Sequence, residues 1–304
     1  MKRSDFIKTG VAATALSTSG LSLLSSFSKP DQQKRITILH SNDVHSHIDP
    51  FPADHSKYPN LGGAARRMNY INKVKAQNPN TLIFDAGDAF QGTPYFNFYG
   101  GELEYKVMSK LGYHASTIGN HEFDNGIDNI AAQLEHADFD LISSNYDLKN
   151  TSLDGLVKKH QIYDVGQFKV GVFGVGIELE GLVSKDLYKE AKYLDPIEIA
   201  KDEVKYLKEE QKCDLVICLS HIGYKYNSDK IDDIKLAKAT KDIDLIIGGH
   251  THTFLEEPQV FKNSAGKDVM VNQVGWAGLQ LGQIEFYFDD ANNVQAVESS
   301  IAHI

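Results

Sequence analysis

Five apolar runs of this chain are each followed by residues that can bind a metal ion. Runs of this length and composition are typical of buried β-strands. The pairs of run and polar residue are Ile36–Leu39 with Asp43 and His45, Thr81–Phe84 with Asp88, Ser116–Gly119 with Asn120, Leu215–Leu219 with His221, and Leu245–Gly249 with His250 and His252. Because ligands of open α/β sheets lie beyond the carboxyl ends of the strands, we predict that these seven side chains meet at one sheet edge.

Taken singly, each of these residues has an ordinary explanation. Aspartate caps helices, asparagine closes turns, and a histidine after a strand is commonly a surface residue. Independent capping roles would not repeat histidine, aspartate or asparagine at five successive strand ends, so the joint pattern favours a metal site.

Between the runs, the chain alternates predicted strands and helices, which is typical of an α/β layered domain. The sequence predicts helices over 63–77, 102–111, 126–136 and 196–211. It predicts strands over 36–40, 81–85, 115–118, 140–143, 161–165, 168–175, 214–219, 244–248, 258–262, 268–273, 281–288 and 294–301. No linker to a second domain interrupts the pattern, so we predict one domain over residues 29–304.

The seven side chains have the composition of a site for two divalent cations. The segments Asp43–His45 and His250–His252 each place two ligands two residues apart, and in extended backbone such residues share a face. Asp88 is suited to bridge the two ions, while Asn120 and His221 add neutral ligands. Mixed nitrogen and oxygen ligands favour Zn, Mn, Fe, Co or Ni over Mg or Ca.

The charge of such a site predicts its chemistry. Two divalent cations with Asp43 and Asp88 leave a net charge of about +2, which accommodates a hydroxide and an anionic phosphate. A water that bridges two metals loses a proton near neutral pH and becomes a nucleophile. The sequence therefore predicts hydrolysis of phosphate esters by a bridging hydroxide.

His121 and Asp124 add a second element to this site. They follow Asn120 in the run Asn-His-Glu-Phe-Asp. If this turn opens a helix, Asp124 can hold the imidazole of His121 in one tautomer. We predict that His121 then faces the phosphoryl group and stabilises transition-state charge or the leaving oxygen.

The first 28 residues have the composition of an export signal. Lys2, Arg3 and Lys8 precede the uncharged stretch Val11–Leu24, and small residues follow it. The start resembles a twin-arginine signal in which Ser4 occupies the position of the second arginine, so a twin-arginine and a Sec route both stay open. The apolar stretch is short for a membrane span, so we predict export without a stable membrane anchor.

The charge of the chain argues against a nucleic-acid partner. The formal net charge is −10, and removal of residues 1–28 leaves 28 basic and 40 acidic residues, a net charge of −12. Nucleic-acid binders usually present a basic face. We therefore expect a small-molecule substrate.

Four motifs in the chain resemble those of the calcineurin-like metallophosphoesterases. They are Ser41–His45 (SNDVH), Asp85–Pro94 (DAGDAFQGTP), Gly119–Asp124 (GNHEFD) and Gly248–His252 (GGHTH). The second and third resemble in particular the bacterial periplasmic 5′-nucleotidase/UDP-sugar hydrolase branch, and the resemblance covers about residues 35–301.

The resemblance implies a four-layer α/β/β/α sandwich of two mixed sheets with the metals at the carboxyl ends of strands. One metal would take Asp43, His45, Asp88 and His252, and the other Asp88, Asn120, His221 and His250. The pair His121 and Asp124 would be the catalytic dyad. The resemblance also implies a periplasmic phosphomonoesterase whose most favoured substrates are nucleoside 5′-monophosphates.

Members of this branch usually continue into a second domain that binds the substrate, whereas this sequence ends at Ile304. We therefore expect either a separate polypeptide that supplies that domain or a substrate that is smaller or less strictly discriminated. A cyclic-nucleotide or other phosphodiesterase is an alternative within the fold. A non-catalytic or partner-dependent subunit is a second alternative, which the complete ligand set disfavours.

Overall fold

Two six-stranded sheets form the centre of the fold. The structure is a computed structural model that describes residues 34–304, so the predicted export signal over residues 1–28 lies outside the described residues. The strands in chain order are β1 Arg35–Ser41, β2 Thr81–Asp85, β3 Ala115–Thr117, β4 Asp140–Ile142, β5 Tyr146–Asp147, β6 His160–Val165, β7 Phe168–Gly176, β8 Lys192–Tyr193, β9 Leu215–His221, β10 Leu245–Gly248, β11 Gln259–Lys262, β12 Asp268–Asn272, β13 Gln280–Phe288 and β14 Val294–His303.

Both sheets are mixed, as the family resemblance implies. The first has the order β14-β13-β1-β2-β3-β4. Strands β1 to β4 are parallel to one another, and β13 is antiparallel to both of its neighbours, β1 and β14. The second has the order β11-β12-β10-β9-β7-β6, in which β7, β9, β10 and β12 are parallel. Strands β5 and β8 form a separate antiparallel pair. Each parallel set therefore directs its carboxyl ends, with the residues that follow them, to one edge.

In the described part of the chain, seven α-helices connect the strands. They are α1 Ala64–Gln77, α2 Pro94–Tyr99, α3 Glu102–Leu111, α4 Ile127–Gln133, α5 Lys185–Tyr188, α6 Pro196–Lys205 and α7 Asp233–Ala239. The four predicted helices are present, although α4 ends in a 3₁₀ turn and α6 continues as a π-helical segment over Tyr206–Glu210. The short helices α2, α5 and α7 were not predicted. The N-caps Thr93 and Asp232, whose side chains accept main-chain N–H groups, are the signals that mark α2 and α7.

Apolar side chains from both sheets fill the space between them. Ile38 and Phe84 of the first sheet form one cluster with Val172, Ile217 and Ile247 of the second, and all five are fully buried. Burying a side chain of this size stabilises the fold by about 1.5–3 kcal/mol relative to leaving it exposed. This layer therefore holds the two sheets face to face.

Helices cover the outer face of each sheet and complete the predicted α/β/β/α layers. On the first sheet, Ile71 and Val74 of α1 and Met108 of α3 pack in one buried cluster with strand residues such as Ile83. On the second sheet, side chains of α6 and α7, among them Val204, join a similar cluster. Within residues 34–304, no helix has the length and hydrophobicity that a membrane span requires.

Two buried asparagines join the sheets at their carboxyl ends. Asn42 follows β1, accepts the Val274 N–H at 2.9 Å and donates to the Gly275 carbonyl at 2.6 Å, both beyond β12 of the other sheet. Asn145 follows β4, accepts the N–H of Gly176 at 2.7 Å and donates to its carbonyl at 2.8 Å. Each side-chain amide satisfies a donor and an acceptor of the opposite sheet, so these contacts fix how the two edges meet.

The environment of His114 predicts a loss of stability in acid. Its Nδ1 accepts the Ile83 N–H at 3.0 Å, and burial, with Lys75 nearby, lowers the pKa of the imidazole to about 4. The unfolded chain binds a proton below a pKa of about 6.5 while the folded state does not, so the free energy of unfolding falls as pH drops through that range. His114→Gln keeps an acceptor and removes the titration. Between about pH 7 and about pH 5, urea unfolding should show a stability loss that is about 2 kcal/mol smaller in this variant. Equal losses in the two proteins would contradict this assignment.

Candidate metal centre

The seven predicted ligands lie together where the carboxyl ends of the two sheets meet. Their carboxylates and imidazoles form two groups, and within each group the potential ligand atoms lie within 4.8 Å of one another. The first ligand group is Asp43, His45 and His252, and the second ligand group is Asp88, His221 and His250. Asn120 adjoins the second ligand group, with its Oδ1 2.8 Å from His250 Nδ1. The geometry thus brings the predicted residues together, while their role as metal ligands stays a prediction.

The two ligand groups adjoin through their carboxylates. Asp88 Oδ2 lies 2.9 Å from His221 Nε2 and 3.9 Å from His45 Nε2, so it reaches both groups. Asp43 Oδ1 lies 3.4 Å from His252 Nε2 and 4.0 Å from His221 Nε2. Donor atoms that share one ion through bonds of about 2.0–2.2 Å are ~3–4 Å apart. These separations suit two neighbouring cations with Asp88 between them.

Main-chain carbonyls orient two of the imidazoles. His221 Nδ1 donates to the Ala86 carbonyl at 2.6 Å, and His45 Nδ1 donates to the Phe90 carbonyl at 3.1 Å. In each ring the remaining Nε2 faces the site, which is the arrangement that metal-binding histidines adopt. The Nε2 of His221 is fully buried and lies at ion-pair distance from Asp88 Oδ2. A buried imidazole nitrogen and a carboxylate oxygen that face each other at this distance fit two ligands of one cation.

The protonation of the imidazoles also suits metal binding. Burial lowers the pKa of His45, and it lowers the pKa of His250 to about 4, so both rings are neutral near pH 7. Burial alone would lower the pKa of His221 as well, but the contact with the Asp88 carboxylate raises it overall. A proton and a metal ion compete for this nitrogen, so binding of a metal there would release the proton.

Five of the seven predicted ligands have left-handed backbone conformation rather than the extended conformation that the sequence suggests. Their φ angles are +50° for Asp43, +49° for His45, +56° for Asp88, +70° for His250 and +50° for His252. The prediction that ligands two residues apart share one face of extended backbone is therefore wrong. His250 and His252 belong to different ligand groups. Left-handed conformation costs roughly 1–2 kcal/mol per non-glycine residue. Hydrogen bonds between loops, such as His45 N–H to the Asp88 carbonyl at 3.0 Å, maintain it.

Glycines leave the space that these side chains occupy. A Cβ on Gly119 would lie 2.2 Å from Asp88 Oδ1, and one on Gly249 would lie 2.9 Å from His221 Nδ1. Gly87, at φ +87°, would bring a Cβ within 2.9 Å of the same His221 atom. Residues with a side chain at these positions would displace Asp88 or His221.

The predicted pair of His121 and Asp124 is formed. A 3₁₀ turn over His121–Phe123 brings His121 Nδ1 within 2.8 Å of Asp124 Oδ2, and both side chains are about one-third exposed. The hydrogen bond with Asp124 raises the pKa of His121, against the effect of burial. The main-chain N–H of His121 donates to Asp88 Oδ1 at 2.8 Å, and its ring lies 5.2 Å from that of His45. The pair is therefore partly open to solvent and directly beside the ligand groups.

Two residues that contact the ligands were not singled out from the sequence. Trp276 lies parallel to the His252 ring, with centroids 5.8 Å apart and planes inclined by 4°. Glu122 is buried, and its carboxylate accepts the N–H groups of Asp88 and Ala89. Trp276 gives no signal in the sequence, because only the fold brings it to His252. Glu122 lies between His121 and Asp124 in a recognised motif, and that position is the signal that could have identified it.

Comparisons with known proteins identify the family and the fold. The family model described as calcineurin-like phosphoesterase matches residues 36–254. The 5′-nucleotidase precursor of Thermus thermophilus superposes with a TM-score of 0.81 and 34% identity, over 89% of this chain and 54% of that chain.

Curated relatives match over most of this chain but only part of their own length. The trifunctional nucleotide phosphoesterase protein YfkN of Bacillus subtilis is 33% identical over 90% of this chain and 20% of its own length. A snake venom 5′-nucleotidase of Gloydius brevicauda is 33% identical over 85% of this chain and 46% of its own length. The match to the family model covers most of the chain and includes all seven predicted ligands. The chain belongs to the calcineurin-like phosphoesterase family and is a hydrolase.

Proposed function

We propose that this protein hydrolyses phosphate monoesters, most of all nucleoside 5′-monophosphates, at a centre of two divalent cations. The observation that carries the proposal is the pair of adjoining ligand groups that meet at Asp88, with the His121–Asp124 pair beside them. The similarity to 5′-nucleotidases supports nucleotides as the substrate class.

In this proposal each cation has four protein ligands. They are Asp43, His45, Asp88 and His252 for one cation, and Asp88, Asn120, His221 and His250 for the other. The nitrogen-rich ligand set favours Zn, Mn, Fe, Co or Ni. When bound, such cations polarise phosphoryl oxygens and make water more acidic. Because Asp43 and Asp88 neutralise only part of the cationic charge, the site would attract a phosphate dianion.

His121 would act on the phosphoryl group itself. Since Asp124 accepts a hydrogen bond from Nδ1–H, the other ring nitrogen, Nε2, can exchange a proton with the substrate. The raised pKa of His121 keeps a larger fraction protonated near neutral pH. In that form the imidazole donates a hydrogen bond to a phosphoryl oxygen or a proton to the leaving alkoxide.

We also propose that residues 1–28 direct export and that residues 29–304 form the catalytic domain, which acts in the periplasm. The chain spans about half the length of the 5′-nucleotidases that it matches, or 46% of the snake venom protein. The catalytic groups named above all lie within residues 43–252.

The first test is phosphate release from AMP, an aryl phosphate and an aryl phosphodiester with added Mn or Zn. The wild type should hydrolyse AMP and the aryl phosphate, and Asp88→Asn should lower kcat/KM by at least about 100-fold, because it removes the charge between the two cations. The exposed Asp138→Asn serves as the matched control and should leave the rate unchanged. Hydrolysis of the diester alone would replace the proposal with a phosphodiesterase. Metal binding without activity on any substrate would indicate a partner-dependent subunit.

The role of His121 predicts a separation of metal binding from catalysis. His121→Gln should lower kcat by about 100-fold or more, since it removes the proton donor, while the metal content stays that of the wild type. Asp124→Asn should give a smaller loss, because the ring remains but its tautomer is no longer fixed. The control His303→Gln alters an exposed histidine of β14. Steady-state kinetics and elemental analysis of the same samples test this, and loss of metal from His121→Gln would contradict it.

The contact between Gly119 and Asp88 predicts that a methyl group weakens metal binding. Gly119→Ala places a Cβ 2.2 Å from Asp88 Oδ1, so the carboxylate must move. We expect metal affinity, measured by chelator competition, to fall by about 10-fold or more. Gly266→Ala is the control, because Gly266 lies in the turn before β12, has φ +75° and has no neighbour within 4 Å of an added Cβ. Both variants lose some stability, but only Gly119→Ala should lose metal.

A further inference from the structure

The carboxylate of Glu122 accepts four main-chain hydrogen bonds. One carboxylate oxygen accepts the N–H groups of Asp88 at 2.9 Å and Gly119 at 2.6 Å. The other accepts those of Ala89 at 2.7 Å and Phe90 at 3.2 Å. The side chain is 1% exposed, and within residues 34–304 no lysine, arginine or histidine lies at ion-pair distance from it. Four main-chain donors therefore surround this buried carboxylate.

All four donors belong to the two loops that place Asp88. Residues 88–90 follow β2, and Gly119 lies between β3 and the 3₁₀ turn over His121–Phe123. Three successive N–H groups that point to one acceptor form an anion-binding concavity. The first of these groups belongs to Asp88 itself, which has φ +56°. The N–H of His121, next in sequence to Glu122, donates to Asp88 Oδ1. Glu122 thus contacts the main chain of Asp88 while its neighbour contacts the side chain.

We propose that Glu122 is a positioning residue that holds Asp88 in its left-handed conformation and thereby sets the metal affinity of the centre. This inference rests on the proposed function, since it requires that Asp88 bind the cations. Glu122 does not touch the substrate, because both of its oxygens are occupied by the loop. Its carboxylate supplies an acceptor to each N–H that the turn at residues 88–90 leaves unpaired, and this stabilises a backbone that is otherwise unfavourable for aspartate.

An amide cannot replace this carboxylate. Glutamine offers one acceptor oxygen, so its NH₂ group would face two main-chain donors, and two of the four hydrogen bonds would be lost. Aspartate retains both oxygens, but it is one methylene shorter and reaches the loop less well. The proposal therefore orders the variants: wild type binds metal best, Glu122→Asp binds it less well, and Glu122→Gln binds it least.

The test is the affinity for Mn²⁺ or Zn²⁺, measured by competition with a chromophoric chelator on folded protein, with circular dichroism as the check of folding. Glu122→Gln should bind at least one equivalent about 10–100-fold more weakly, with partial recovery in Glu122→Asp. At saturating metal, kcat should return towards the wild-type value, since no reacting group is lost. The matched control is Glu203→Gln, which alters a buried glutamate of α6 that pairs with His160.

The outcomes separate this inference from the proposed function. If the wild type binds no divalent metal, the proposed function itself is wrong. If the wild type binds two equivalents and Glu122→Gln binds them equally tightly, the positioning role is overturned while the proposed function stands. A kcat that stays low at saturating metal would overturn it in favour of a catalytic role. Failure of both Glu122 variants to fold would overturn it in favour of a general role in stability.

Discussion

The site depends on how Asp88 is held. Its carboxylate faces imidazoles from both sheets, with His45 beyond β1 and His221 at the end of β9. Its main chain is bound on both sides, because its N–H contacts Glu122 and its carbonyl accepts the His45 N–H. One residue thus joins the two ligand groups, the His121–Asp124 pair and the loops that carry them. The contact is possible only because the two sheets present their carboxyl ends at the same edge.

The strained backbone and the buried polar groups at this edge are unfavourable, and apolar packing elsewhere in the fold offsets their cost. The five predicted ligands with left-handed conformation place an unfavourable backbone in a small volume, and several charged or polar groups lie there away from solvent. The apolar layer between the sheets and the helices outside them supply the stabilisation that allows this. The asparagine contacts at residues 42 and 145 then fix the relative position of the two edges. The arrangement is typical of a functional site whose conformation is determined by its surroundings.

The strands of the two large sheets and the residues that meet at their edge could be predicted from sequence because their signals are local, whereas the two-residue strands β5 and β8 were not predicted. Apolar runs such as Leu215–Leu219 indicate the strands, and the polar residues after them share an edge by the geometry of parallel sheets. The left-handed backbone of Asp43 and Asp88 could not be predicted, since contacts between separate loops impose it. The main-chain partners of Glu122 could not be predicted either, because three of them lie 32–34 residues earlier in the chain. The short helices were missed because their caps precede too few residues for a helical period.

The position of Trp276 gives the protein an internal optical probe. The chain contains a single tryptophan, and its indole lies parallel to the ring of His252, a member of the first ligand group. No other indole contributes background, so tryptophan emission reports on the surroundings of Trp276, which include the rings of His252 and His47. The second ligand group has no such neighbour among its ring contacts in the described part of the chain. Fluorescence and total metal content would therefore distinguish the filling of one half of the centre from the filling of both.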